Sequence, residues 1–217
     1  MDPLLVFDLD GTLHCFNRPL GVDFSSSSLY SEIKRRAHAF LARRLNVSAA
    51  DAKCIYELLD KDFNGAISLG VESRHGIDRY EWFENTWNLD PKDFIEKTDH
   101  LPLFNSLEAK VSILTGAPRI WASKVLDYLN LGCYQGALFT GEPNLRKPNP
   151  LSFRMVCDAI RIPPENAFSV GDQVISDILP AKRIGMKTVL VRGYSAEADY
   201  CIGSINELPA LMRSIRQ

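Results

Sequence analysis

Five short apolar runs punctuate the chain: Leu4–Phe7, Val111–Leu114, Ala137–Phe139, Ala167–Val170 and Thr188–Val191. Gly, Asp, Asn or Pro lies at or near their ends, and such runs read as strands buried on both faces, as in a parallel sheet. Between the last four lie helical patterns over Trp121–Leu131, Pro150–Ile160 and Ile178–Ile184, and a final helix is predicted over Ile205–Ile215. Strand alternates with helix, at connections too long for hairpins. That order predicts an α/β fold, a doubly wound parallel sheet with a Rossmann-like core.

The alternation breaks once. The first run ends at Phe7, the second begins at Val111, and no comparable run of strand formers lies between them. That stretch holds Ser25–Ser28, which reads as a small-residue linker, then helical patterns over Leu29–Leu45, Ser48–Asp60 and Asp78–Trp87. Ser48 with Asp51 three residues on resembles a capping box with Asp in place of Glu or Gln. The basic clusters Lys34–Arg36 and Arg43–Arg44 read as a solvated helix face. The predicted organisation is an α/β core of residues 1–14 and 101–217, interrupted after its first strand by a helical insert of residues 15–100.

Composition narrows the class. Of 217 residues, 46% are hydrophobic and 24% charged, which excludes a disordered chain. The net charge of −2, from 25 basic and 27 acidic side chains, disfavours a nucleic-acid polymer or an anionic membrane as partner. Five cysteines without a Cys-x-x-Cys pair or a Cys/His cluster read as reduced thiols, not as a disulfide scaffold or zinc site. The acidic N-terminus does not read as a signal peptide, and no run approaches the roughly 20 apolar residues of a spanning helix. The expectation is a cytoplasmic protein with no membrane association.

Ligands of open α/β sheets sit beyond the carboxyl ends of the strands, so the residues just past each run are informative. After the first comes Asp8-Leu9-Asp10-Gly11-Thr12, after the second Thr115-Gly116, and after the fourth Gly171-Asp172 with Ser176-Asp177 further on. Lys147 lies in Arg146-Lys147-Pro148-Asn149-Pro150, just before a helix, within reach of the same rim. Converging carboxylates repel unless a hard divalent cation sits among them. Mg²⁺ takes oxygen ligands, typically one or two carboxylates plus water and substrate phosphate. A lysine and a threonine hydroxyl supply what phosphoryl oxygens need as charge redistributes in a transition state. Two aspartates one residue apart allow one to attack phosphorus and the other to shuttle the leaving-group proton.

DLDGT at 8–12, Thr115, Lys147 and GDxxxSD at 171–177 resemble, in order, the four motifs of the haloacid dehalogenase superfamily. The helical insert resembles that superfamily's cap domain. The resemblance implies a phosphatase with Asp8 as the nucleophile that forms an aspartyl-phosphate and Asp10 as general acid and then general base. It further implies that Asp8, Asp172 and the Asp10 main-chain carbonyl hold Mg²⁺, with Asp177 in the same cluster, and that Thr115, Gly116 and Lys147 bind the phosphoryl group. The implied substrate is a small phosphate ester of the nucleotide, sugar phosphate or phosphoglycolate type. An acid at position 10 sets the chain apart from dehalogenases proper.

Within the insert, Tyr56–Leu69, Gly76-Ile77-Asp78 and Leu89–Leu103 resemble the cap of the pyrimidine 5′-nucleotidase-like branch. Phe63-Asn64-Gly65 stands where that branch has Tyr-Gly, and Thr115-Gly116 replaces the commoner Thr-Asn. Alternatives remain: a phosphomutase of the same superfamily, a receiver-like phosphate-accepting module, or an idle scaffold. His14 and His75 read as polar surface residues, Trp82, Phe83 and Trp87 as cap core, and Cys15 as lacking the base a nucleophile needs.

Overall fold

The computed structural model describes residues 2–16, 23–142 and 144–215. The chain divides into two compact units, Met1–Cys15 with Ile95–Gln217, and Phe16–Phe94.

The first unit is a doubly wound α/β sheet. Its strands are β1 (Leu4–Phe7), β2 (Lys110–Leu114), β3 (Leu138–Phe139), β4 (Ala167–Gly171), β5 (Lys187–Val191) and β6 (Tyr200–Ile202), in the order β3-β2-β1-β4-β5-β6. Every pairing is parallel. All four residues of β1 are buried, as its uninterrupted apolar run requires. Alternate side chains go to opposite faces. Leu4 and Val6 pack with Phe153 and Val156 of α7 (Pro150–Ile160), whereas Phe7 stacks on Phe104 of α5 (Leu101–Asn105) with centroids 4.8 Å apart. β6 was not among the five apolar runs: it is three residues long, sits on the sheet edge and exposes Cys201.

Local chemistry explains where the helices start. Asn149 caps α7, its side chain accepting from the Leu151 N–H at 3.0 Å, and Pro150 at the first turn has no N–H to lose. α6 (Arg119–Tyr128) follows β2 through the Thr115–Pro118 turn. The helix expected over Ile178–Ile184 is α8 (Leu179–Arg183), entered through a π-helical turn over Val174–Ile178 that carries Asp177. The final helix opens as a 3-10 turn at Ile205–Glu207 with a Ser204/Glu207 capping box before α9 (Leu208–Ile215).

The second unit holds α1 (Ser28–Leu45), α2 (Ala49–Asp62), α3 (Ile67–His75) and α4 (Arg79–Trp87). Ser25–Ser28 is not a linker. Phe24–Ser26 is a 3-10 turn, and the Ser27 hydroxyl caps α1 by accepting from the Tyr30 N–H at 3.1 Å, the role small hydroxyl residues take at helix starts. The basic clusters of α1 do more than face solvent: Arg36 donates to the Asn88 carbonyl, Arg43 to Asn85, and Arg44 pairs with Glu81 at 3.0 Å. Trp82 and Phe83 are buried in the unit's own core, Trp82 edge-on to Phe40. Trp87 stacks on Phe24 at 5.9 Å. No helix among the described residues is long and apolar enough to cross a membrane.

Candidate active site

Phe7, Ile113 and Val170 lie level at the ends of β1, β2 and β4, so the segments leaving these strands emerge side by side. Asp8 continues the ladder by donating its N–H to the Val170 carbonyl at 2.9 Å. Lys147 is the electrostatic centre of the rim. Its side chain is 6% exposed, and the ammonium donates to Asp8 Oδ1 at 2.5 Å and to Asp177 Oδ1 at 2.6 Å. Gln173 N–H donates to Asp177 Oδ2, which fixes that carboxylate from the other side. Thr12 Oγ1 lies 3.0 Å from Asp8 Oδ2 and 2.8 Å from Asp172 Oδ1. A hydroxyl has one proton, so it satisfies one of the two carboxylates at a time.

Two glycines make this density possible. Gly11 has φ +94°, and a Cβ there would fall 2.5 Å from Asp172 Oδ2. At Gly171 a Cβ would fall 2.3 Å from the Asp177 carboxyl carbon.

One ammonium among three carboxylates leaves the cluster anionic, and this shapes its protonation equilibria. Burial, the largest effect, pushes Asp8 up to about 6; the Asp177 and Asp10 charges act in the same direction and Lys147 against them. Burial and the Asp8 charge take Asp172 up to about 6, with the Thr12 bond opposing. Asp177 is raised by burial against the pull of Lys147. Burial alone would lower the lysine, yet Asp177 and Asp8 together hold it above its ordinary range. One oxygen each from Asp8, Asp172 and Asp177 lie within 4.8 Å of one another, an all-oxygen donor set of the kind hard divalent cations take.

Asp10 faces a different environment. Its Oδ1 accepts from Trp121 Nε1 at 2.8 Å and meets His14 Nε2 at 3.0 Å. His14 is therefore not a surface residue: it is 3% exposed, drawn in by this contact. Thr115 is buried, its hydroxyl accepting from the Ala117 N–H at 3.1 Å, and Gly116 has open space where a Cβ would stand. Arg146 donates to the Gly141 carbonyl at 3.0 Å. His75 closes α3 and belongs to the chain's second unit.

The carbonyls behind the first motif are gripped by two side chains that sequence reading did not single out. Arg192 donates to the Gly11 and Thr12 carbonyls and, at 2.7 Å, to the Cys15 sulfur; His100 Nε2 donates to the Leu13 carbonyl. Arg192 directly follows the fifth apolar run, so the strand-end rule that found Asp8 and Asp172 also reaches it. Trp121 and His14 carried no comparable signal, because their contacts depend on which elements the fold brings together.

Residues 144–203, which contain Lys147, Asp172 and Asp177, match the family described as HAD-hydrolase-like. The glyceraldehyde 3-phosphate phosphatase of Pyrococcus furiosus is 34% identical over 90 residues, 39% of this chain and 38% of that protein. The phosphoserine phosphatase of Thermus thermophilus is 28% identical over 132 residues, 53% of each. The matches thus span about half or less of these curated relatives. Among solved structures, a HAD phosphatase from Thermococcus onnurineus is 26% identical over 98% of each chain, with a TM-score of 0.61.

Proposed function

We propose that the chain is a Mg²⁺-dependent phosphomonoester hydrolase that works through an aspartyl-phosphate on Asp8. The observation that carries this reading is the buried Lys147 held between Asp8 and Asp177, with Asp172 beside them. An under-compensated carboxylate cluster of this kind fits a divalent cation and a phosphoryl group together. Asp8, Asp172 and the Asp10 main-chain carbonyl would hold Mg²⁺, with Asp177 alongside, and the ion would supply positive charge against the phosphoryl oxygens.

The chain's own residues divide the remaining work. An Asp8 oxygen forms a bond to phosphorus as the bond from phosphorus to the leaving oxygen breaks, and Asp10 gives that oxygen its proton. In the second half Asp10 takes a proton from water as the water oxygen bonds phosphorus, which releases inorganic phosphate and restores the Asp8 carboxylate. Lys147, Thr115 and the Gly116 backbone bind phosphoryl oxygens. The helical residues 15–100 act as a cap that selects the ester, a small phosphorylated metabolite such as a nucleotide, sugar phosphate, phosphoserine or phosphoglycolate. The sheet order favours this reading over a receiver module, whose strands run 2-1-3-4-5.

The test is a panel of those esters with Mg²⁺ and with excess EDTA. Phosphate release is expected from the native chain with Mg²⁺ only, and none from Asp8→Asn. Hydrolysis that survives EDTA, or persists in Asp8→Asn, would refute the proposal.

A further inference from the structure

We infer that Trp121 and His14 are positioning residues for Asp10, holding one carboxylate oxygen so that the other exchanges the proton with the leaving group. The inference rests on the hydrolase reading of the site. Trp121 Nε1 and His14 Nε2 converge on the same atom, Asp10 Oδ1, at 2.8 and 3.0 Å, and Asp10 Oδ2 has no bond among the described residues. An indole N–H only donates, so the position it faces must always hold an acceptor. Opposite an ionised carboxylate, His14 Nε2 carries the proton and donates as well. With two hydrogens aimed at Oδ1, the proton of the acid form resides on Oδ2. That oxygen gives its proton to the leaving alkoxide as the P–O bond breaks and takes one back from water in the second half-reaction.

The donors are themselves held. Trp121 is fully buried within α6, and His14 is 3% exposed. The backbone on which Asp10 and His14 ride is fixed by Arg192 on the Gly11 and Thr12 carbonyls and by His100 on the Leu13 carbonyl. A carboxylate can exchange its two oxygens by rotating half a turn. Two donors at a single point make those orientations unequal to substrate, and fixed orientation is what general acid–base catalysis needs.

The experiment separates positioning from simple structural support. Trp121→Phe keeps a ring and loses the N–H; His14→Leu loses its donor, and His14→Gln keeps one. Each is assayed on an alkyl phosphate, whose leaving group needs protonation, and on 4-nitrophenyl phosphate, whose leaving group does not. Losing one such bond should lower kcat about 10-fold on the alkyl ester. On the nitrophenyl ester kcat should hardly change, KM should be unmoved on both, and His14→Gln should recover most of the loss. In an Asp10→Asn background Trp121→Phe should add nothing.

Equal losses on both esters, or none on either, overturn the inference. A readout independent of turnover accompanies the kinetics. The chain has three tryptophans, so the Trp121 indole N–H resonance is assigned by its absence in Trp121→Phe. It should move in Asp10→Asn, and an unmoved signal overturns the contact itself. A native chain that turns over neither ester counts against the hydrolase reading, while the indole signal still decides whether Trp121 holds Asp10.

Discussion

Lys147 carries more of the site's electrostatics than any other single residue. Buried between Asp8 and Asp177, it is the positive charge that lets those carboxylates share a buried rim. Removing one partner of a buried ion pair typically costs about 3–5 kcal/mol, because the remaining charge is left uncompensated. Lys147→Met should therefore lower the urea-unfolding free energy by an amount in that range in metal-free buffer, with Mg²⁺ restoring part of it. A loss below about 1 kcal/mol would mean that the carboxylates do not depend on the lysine. At this scale the sequence was informative where the candidate site coincided with a strand end: Asp8 and Thr115 follow apolar runs directly, and Asp172 follows one after Gly171. Lys147 and Asp177 were legible because Pro and Gly punctuation placed their loops at the same rim. The Trp121 and His14 contacts were not, since a buried indole inside a helix and a histidine after a turn both look like ordinary packing.

Elements show the same division. The five strands of the core were legible because a run buried on both faces leaves a continuous apolar stretch. β6 was not, since a three-residue edge strand with an exposed Cys201 has no such stretch. α3 was missed for a related reason: its buried positions, Ser68, Gly70 and Val71, are small or polar and form no apolar stripe. α1, by contrast, carries a salt-bridge pattern with a pH signature. Arg35 grips Glu32 through two bonds of 2.7 and 2.8 Å, Arg36 adds a third, and these hold the Glu32 carboxyl down at about 2. A depressed carboxyl stabilises the fold above its unfolded value near 4.5 and loses that contribution as pH falls toward 2. Glu32→Gln should thus cost a few tenths to about 1 kcal/mol at pH 7, and the gap to the native chain should narrow between pH 4.5 and pH 3. A gap that stays constant over that window would assign the cost to something other than charge. Within the same unit, Trp82 packs against Phe40 in the core and is not a surface offered to substrate. Trp82→Ala should cost about 3–5 kcal/mol in urea or thermal unfolding. A stable variant with altered ester preference would instead make Trp82 a substrate contact.

Across the whole molecule, topology does what no local pattern can. The order β3-β2-β1-β4-β5-β6 sets β1 between β2 and β4, so groups from positions 8, 115 and 172 emerge from three adjacent strands. The connections before α7 and α8 then bring Lys147 and Asp177 to the same rim. Every proposed role depends on one event, the transfer of a phosphoryl group to Asp8. The decisive measurement is a rapid acid quench during turnover of a ³²P-labelled phosphomonoester with Mg²⁺, followed by digestion and peptide mapping. The expected result is covalent, hydroxylamine-labile label on the peptide containing Asp8, absent from Asp8→Asn and from EDTA-treated protein. Steady turnover with no label at Asp8, or with label on another residue, would contradict it.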